Sequence, residues 1–289
     1  MQVDPVPPER SQRRGSWTSR IVAIGLAGIA ASITGCGPLQ RSLIYPARHY
    51  EHSELERRVR ERFGANAAIL APFDAIVVEP EGAAATAIWF HGNGNVNTDF
   101  GKLVAVFAKR HVRLVLPECP GYGARAGVPS ERVLVDDART LYASIDERYP
   151  REPIVVIGQS LGSGVASQVA ADVSRPQPQR LVLVTPFFDL PDAASHAFWN
   201  LPLQSIVNDR YDSANALVRY RGAVVVVVAA QDRFIGAESG RRLGRVARPY
   251  GQTRLIELLG ADHNDWLSAM SPETWDSFLN GLEPRSRRR

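Results

Sequence analysis

Three polar residues, far apart in this 289-residue chain, each stand just after an apolar run of strand type. Ser160 lies in Gly158-Gln159-Ser160-Leu161-Gly162, between Ile154–Ile157 and a run of small residues with helical character. A sharp strand-to-helix turn there would lift the hydroxyl above a sheet, and flanking glycines would let two backbones approach closely. The helix start would add N–H groups and partial positive charge. Ser160 is therefore the candidate nucleophile. Asp232 follows the strand Ala223–Ala229, where a carboxylate could orient a histidine and stabilise its protonated form. Asp189, after the preceding strand, is a rival acid, and either could instead cap a helix. His263, in Gly260-Ala261-Asp262-His263-Asn264-Asp265, follows the last strand and is the candidate base. It would accept the serine proton and return it to a leaving group. Asp262 and Asp265 flank it, but a carboxylate adjacent in sequence rarely reaches the ring nitrogen correctly. A fourth strand end carries His91-Gly92-Asn93-Gly94-Asn95. The backbone N–H groups of Asn93 and Leu161 are the candidate oxyanion hole, where one donor is typically worth about 10²–10³ in rate. His91 sits at the wrong strand end for a base and is read as ordering its loop. A phosphate-binding loop would need G-x-x-x-x-G-K-S/T, which is missing.

These residues need a sheet to hold them. Ala75–Glu79, Thr86–Phe90, Arg113–Leu116, Ile154–Ile157, Leu181–Val184, Ala223–Ala229 and Arg254–Leu258 read as strands. Most are continuously apolar, as expected of parallel strands covered on both faces. Helices are expected at Phe100–Arg110, Glu131–Tyr149, Gly162–Val173, Ala237–Val246 and Pro272–Leu282. Ser130 is a candidate N-cap for the second of these, and Pro150 ends it. The alternation predicts one α/β domain with a mostly parallel sheet, whose ligands bind at the carboxyl ends of the strands.

Composition narrows the classes. Hydrophobic residues make up 45% and charged residues 22%, which excludes a wholly disordered chain. The formal charge of +4 comes from the ends: Arg10, Arg13, Arg14 and Arg20 in front, and Arg285, Arg287, Arg288 and Arg289 behind. The body between them is near neutral, which argues against a nucleic-acid partner. The basic tail, 283–289, is read as a solvated terminus. Two cysteines, with no C-x-x-C or H-E-x-x-H, do not make a zinc site, and no metal is expected.

Residues 1–35 read as an address. A basic, polar stretch precedes Ile21–Thr34, an uncharged run of 14 residues. A membrane-spanning helix needs about 20, so the run fits a signal-peptide core instead. It ends in Ile33-Thr34-Gly35-Cys36, which resembles a bacterial lipobox. The resemblance implies cleavage before Cys36, lipidation of that thiol and tethering to the membrane on the periplasmic side of the bacterial envelope. Gly37 follows the cysteine rather than Asp, which favours the outer membrane. Cys119 would then be the one free thiol, which suits an oxidising compartment. An ordinary short N-terminal anchor is the alternative.

Roughly from residue 40 to 282 the chain resembles an α/β-hydrolase. Within that superfamily it is similar to the group containing eukaryotic protein-depalmitoylating hydrolases and many bacterial members. The likeness is carried by Gln40–Pro46, His91–Asn95, Pro120-Gly121-Tyr122-Gly123, Gly158–Gly162, Asp232 and Gly260–Asp265. Ser160, Asp232 and His263 also follow the chain order of that fold. The resemblance implies a serine hydrolase that cleaves small-molecule or lipid esters, or thioesters, through an acyl-enzyme and without a cofactor. Gly94 stands where the group more often has Ala, and Glu118-Cys119-Pro120 where it has Asp-x-Arg. These departures bear on loop shape and substrate fit, and protein depalmitoylation is not carried over. The expected layout is a linker and arm at 36–73, a hydrolase domain at 74–282 and a small cap at about 186–222, between the sixth and seventh strands of the fold. Phe187, Phe188 and Tyr122 are candidate pocket residues. Phe198, Trp199 and Tyr211 add further aromatic surface to the cap, and all of these could instead pack it onto the sheet. A peptidase of the same fold and a catalytically idle binding lipoprotein remain as alternatives.

Overall fold

Five consecutive valines, Val224–Val228, are all buried. Successive side chains of a strand point to opposite faces, so both faces here must be covered. The computed structural model shows how, over residues 41–42, 44–197, 207–250 and 252–282. The signal segment, Cys36, Phe198, Trp199 and the basic tail lie outside these described residues. The described part belongs to one unit that begins at Arg41.

Among the described residues eight strands form one sheet: β1 (Ala67–Leu70), β2 (Ala75–Val78), β3 (Ala85–Phe90), β4 (Val112–Leu116), β5 (Ile154–Gln159), β6 (Arg180–Val184), β7 (Ala223–Ala229) and β8 (Thr253–Leu258). Their order is β1-β2-β4-β3-β5-β6-β7-β8. The pairs β1–β2 and β2–β4 are antiparallel, and all the others are parallel. One face packs Phe90, Val156, Leu183 and Val226 against Leu141, Val165 and Leu243. These last three come from α3 (Glu131–Arg148), α4 (Leu161–Ala170) and α7 (Ala237–Ala247). The other face packs Trp89, Val155, Val182 and Val225 against Leu55, Phe107 and Phe278. They come from α1 (His52–Phe63), α2 (Val104–Ala108) and α8 (Pro272–Leu279). The cap region between β6 and β7 contributes α5 (Leu190–Ala197) and α6 (Ser213–Arg219). No helix of the described residues is long and apolar enough to cross a membrane.

All seven expected strands are present, Ala223–Ala229 with the same bounds and the others with an end moved by one or two residues. The structure adds β1 and α1. The latter buries Leu55, Val59 and Phe63 at a four-residue spacing, which sets one helical stripe against the sheet. The expected helix at Phe100–Arg110 begins instead as a 3-10 turn at Asn97, with Phe100 off helical angles, and only then becomes α2. Ser130 caps α3, accepting the Val133 N–H at 3.3 Å.

The sheet fixes where the loops emerge. β3 has β4 on one side and β5 on the other, so the chain reverses its direction of travel across the sheet there. Loops leaving a reversal point diverge and open a crevice. Phe90 pairs with Gly158, which puts the starts of the His91 and Ser160 loops side by side. Ala229 pairs with Leu258, which brings the Asp232 and His263 loops out at the same edge.

Trp89 anchors the face opposite the nucleophile helix, 5.8 Å from Trp266, 5.7 Å from Phe100 and 6.4 Å from Trp275. Its indole nitrogen has no hydrogen-bond partner among the described residues, so its contribution there is packing. Trp89→Ala should cost about 3–5 kcal/mol of stability, read as a lower urea midpoint. An unchanged midpoint would refute this packing role.

Candidate active site

Ser160 sits at φ 50°, ψ −118°, between the end of β5 and the start of α4. A side-chain-bearing residue held in such a region costs about 1–3 kcal/mol. Several bonds hold it. The Ser160 N–H donates to the Val184 carbonyl at 2.9 Å, and its own carbonyl accepts from the Ser163 N–H at 2.8 Å. The Ser163 hydroxyl adds a bond of 2.6 Å to the same carbonyl. Two glycines make the turn possible. A Cβ on Gly158 would overlap the Gly162 carbonyl, and one on Gly162 would overlap the carbonyls of Phe90 and His91.

The three polar strand ends meet. Ser160 Oγ lies 2.9 Å from His263 Nε2, and His263 Nδ1 lies 2.7 Å from Asp232 Oδ2. The second Asp232 oxygen accepts the N–H groups of Phe234 and Ile235 at 3.0 and 2.9 Å. All three side chains are buried. With Nδ1 protonated toward Asp232, Nε2 is free to accept the serine proton. Asp189 lies elsewhere and accepts the Asp192 N–H at 2.7 Å, while burial pushes its pKa up. Asp262 also serves structure. It accepts the N–H groups of Arg233 and His263 and a 2.7 Å bond from Arg233 Nε. Those backbone bonds, then the guanidinium, hold its pKa down to about 2. Because Arg233 follows Asp232, Asp262 ties the acid's loop to the histidine's.

Asn93 and Leu161 both stand beside Ser160. Leu161 is the first residue of α4, so its N–H is one of those a helix start leaves unpaired within the helix. Beneath the Asn93 loop lies a second histidine–carboxylate pair. His91 Nε2 is 2.9 Å from Glu118 Oε1, and His91 Nδ1 is 3.0 Å from the Gly92 carbonyl. Both neighbours are acceptors, so both nitrogens donate and the ring is an imidazolium. Burial opposes that charge, but Cys119 and Glu118 outweigh it and raise the pKa well above the ordinary value. Glu118 also accepts the N–H groups of Asn97 and Cys119, both at 3.2 Å, so the charged pair pins the Asn93 loop.

Two cavities open at Ser160. One, of about 80 Å³, is walled by apolar groups including Ile44, Phe187, Leu190 and Phe234. The other, of about 220 Å³, is lined by Pro46, Asn95, Gln159, Phe234, His263 and Asn264. Asn93 and Ser160 line both. Of the expected pocket residues only Phe187 lines a cavity at Ser160. Phe188 faces away, its ring 4.1 Å beneath the Arg242 guanidinium, and Tyr122 is wholly buried 5.4 Å from the His91 ring. Tyr211 packs Phe187 at 6.4 Å and lies against Gly164, so it fastens the cap. Sequence reasoning missed Ile44 and Pro46, although they lie in the Gln40–Pro46 stretch it singled out. It also missed Gln159, Phe234 and Asn264, each adjacent to or within two residues of a residue it named.

A mostly parallel sheet, with a serine on a strained strand-to-helix turn and a histidine and acid on later strand ends, defines an α/β-hydrolase of the serine hydrolase type. The chain belongs to the hydrolase family described as serine aminopeptidase, S33, which matches residues 82–247. Uncharacterised proteins of Mycobacterium tuberculosis are 30% identical over 187 residues, 64% of this chain and 64% of theirs. The chain thus matches less than two thirds of the length of those relatives. The lysophosphatidylserine lipase ABHD12 of Danio rerio is 32% identical over 117 residues, 38% of this chain and 30% of that protein. Among solved structures, an esterase of Pyrococcus furiosus superposes with a TM-score of 0.59 at 18% identity, covering 82% of this chain and 95% of that one. An esterase of Thermogutta terrifontis gives 0.57 at 16% identity, covering 78% and 98%.

Removing one partner of a buried ion pair leaves the other charge uncompensated, at a cost of about 3–5 kcal/mol. Glu118→Ala should lose stability on that scale in urea unfolding. A change within error would show that His91 is not held as a cation.

Proposed function

We propose that the protein hydrolyses carboxylic esters or thioesters through an acyl-enzyme, with Ser160 as nucleophile, His263 as base and Asp232 as the acid that orients it. The observation that carries this reading is the unbroken line from Ser160 Oγ through the His263 ring to Asp232. Ser160 Oγ attacks the carbonyl carbon while its proton passes to His263 Nε2. The carbonyl oxygen, now negative, is held by the backbone N–H groups of Asn93 and Leu161. The bond to the leaving oxygen or sulfur breaks, and that atom takes the proton from His263. Water then repeats the sequence on the acyl-enzyme, releasing the carboxylic acid and restoring the serine. The relative whose name denotes a lipase supports an ester substrate.

The family description names an aminopeptidase, and the same chemistry cleaves amides. An aminopeptidase must also hold a free ammonium group, for which a carboxylate is the natural partner. Among the described residues, those lining the two cavities at Ser160 include no Asp or Glu. This favours esters.

Ser160→Ala should lower turnover of p-nitrophenyl acetate by on the order of 10⁶, since serine and histidine act as a unit. A fluorophosphonate probe should label the wild type only. Equal labelling of both proteins would overturn the assignment.

The lipobox-like string at Cys36 supports a lipid anchor on the periplasmic side of the envelope, with the outer membrane favoured. Cys36→Ser should move the protein from the membrane to the soluble fraction. Retention of the variant in the membrane would refute lipid tethering at this cysteine.

A further inference from the structure

Under the esterase reading above, the proton moves along a line that two separate loops must hold together. Asp232 follows β7 and His263 follows β8, and the 2.7 Å contact between their side chains spans the two loops. Such a constellation works when its members stay within about 0.5 Å of the productive geometry. The ladder between β7 and β8 ends at Ala229 and Leu258. Beyond it, the Ala230 N–H donates to the Leu258 carbonyl at 3.1 Å, and the Gln231 N–H donates to the Ala261 carbonyl at 2.9 Å. At Arg233 the acceptor changes from a backbone carbonyl to a side chain: the Arg233 N–H donates to Asp262 Oδ1 at 3.0 Å. Gln231 and Arg233 flank the acid, so both of its neighbours are bonded to the histidine's loop.

The same Asp262 oxygen accepts the His263 N–H at 2.8 Å. One atom therefore sits between the backbone that carries the acid and the backbone that carries the base. Asp262 is itself held. Its N–H donates to Asp265 Oδ1 at 2.6 Å, and the Asp265 carbonyl accepts the Ser268 N–H and hydroxyl at 3.0 and 2.7 Å. Trp266, next in the chain, stacks on the buried Trp89, which anchors this turn to the core. The second Asp262 oxygen meets the Arg233 guanidinium at 2.6 and 2.7 Å, but that side chain is 86% exposed. An exposed ion pair of this kind adds little, whereas backbone N–H groups bonded to a carboxylate make strong, charge-assisted bonds. The geometry uses the position of Oδ1 more than the charge of the group.

We propose that Asp262 is a positioning residue for the reaction: by taking the Arg233 and His263 N–H groups on one oxygen, it sets the spacing between Asp232 and the His263 ring. It lines neither cavity at Ser160, so it acts through those two residues and not on the substrate. The flanking carboxylate that is badly placed to reach the ring reaches the backbone on either side of the ring's partner instead.

The test separates position from charge. Asp262→Ala removes both, Asp262→Asn keeps an oxygen at Oδ1 without the charge, and Asp262→Glu keeps the charge but moves the acceptor by one methylene. A misplacement of about 1 Å can cost about 10²-fold in rate. In p-nitrophenyl acetate hydrolysis, Asp262→Ala and Asp262→Glu should therefore lose about 10–100-fold in kcat with KM little changed, and Asp262→Asn should recover most of that loss. Arg233→Ala, which removes the exposed ion pair alone, should stay within about fivefold of the wild type. A merely structural role would lower the urea midpoints and leave the kcat of the folded protein unchanged. A proton spectrum gives a readout that needs no substrate: the downfield resonance of the His263 Nδ1 proton should persist in Asp262→Asn and broaden by exchange with water in Asp262→Ala and Asp262→Glu. Should one of these variants not fold, the other carries the comparison with Asp262→Asn. Wild-type kcat in folded Asp262→Ala or Asp262→Glu, or an Asp262→Glu variant faster than Asp262→Asn, would overturn the proposal and leave the esterase reading intact. If the folded wild type cleaves no ester, the esterase reading falls, and the proton spectra alone decide whether Asp262 positions the pair.

Discussion

The site depends on a contact that only glycine allows. At Gly162 the start of α4 lies so close to the end of β3 that a single methyl group would overlap the carbonyls of Phe90 and His91. That approach puts the Ser160 hydroxyl, the Leu161 N–H and the Asn93 loop within one small volume. It also forces Ser160 into the left-handed half of backbone space, at φ 50°. Strain of about 1–3 kcal/mol is a sizeable share of a typical net stability of about 5–15 kcal/mol. The bond from the Ser160 N–H to the Val184 carbonyl and those that Ser163 donates to the Ser160 carbonyl offset it locally. The continuous apolar strands offset it globally, because they leave the backbone around the turn no room to relax. Catalytic geometry and core packing are one constraint here.

Two buried histidines, each beside a carboxylate, divide the electrostatic work. The pair distances are similar, 2.9 Å for His91–Glu118 and 2.7 Å for His263–Asp232. What differs is the second nitrogen. In His91 it faces the Gly92 carbonyl, an obligate acceptor, so the ring keeps both protons and cannot act as a base. In His263 it faces a hydroxyl, which can give up a proton. The same two side-chain types therefore build a fixed brace under one loop and, in the proposed mechanism, a proton carrier over the next. The choice is made by one atom of the environment.

The parts of this arrangement that were legible in the sequence are local ones. A strand end, a glycine turn and a polar residue lie within a few positions of each other, so Ser160, Asp232 and His263 could be read from their neighbourhoods. Asp232 could be preferred to Asp189 for its place after the valine strand, and the structure puts Asp189 at the Asp192 N–H instead. The cavity walls were not legible, because they are assembled from segments distant in the chain. Ile44, Phe187 and Phe234 converge on one cavity only after the sheet has formed. Adjacent residues can also part company. Phe187 faces the cavity while Phe188 turns to Arg242, a difference that aromatic content alone does not reveal. The strand β1 and helix α1 lie ahead of the alternating body, where the strand reading began only at Ala75. The Leu55, Val59 and Phe63 spacing was nevertheless present in the sequence as a helical signal.

The arm before α1 helps to shape both cavities at Ser160. Tyr45 is buried, and its hydroxyl donates to Asp209 at 2.6 Å and lies 3.1 Å from the Tyr211 hydroxyl. Burial pushes its pKa far up, so the phenol stays protonated and the contact with Asp209 is a true donor–acceptor bond. With Tyr45 pinned, its neighbours in sequence serve different cavities: Ile44 joins the wall of the smaller and Pro46 that of the larger. Phe234 lies across both, with its ring 5.2 Å from His263. One short segment fixed by one phenol thus contributes to both cavities together. The shape of each cavity depends on the same buried hydrogen bonds that fasten the arm to the cap. The walls of the two cavities are therefore coupled through Tyr45, although Tyr45 itself lines neither.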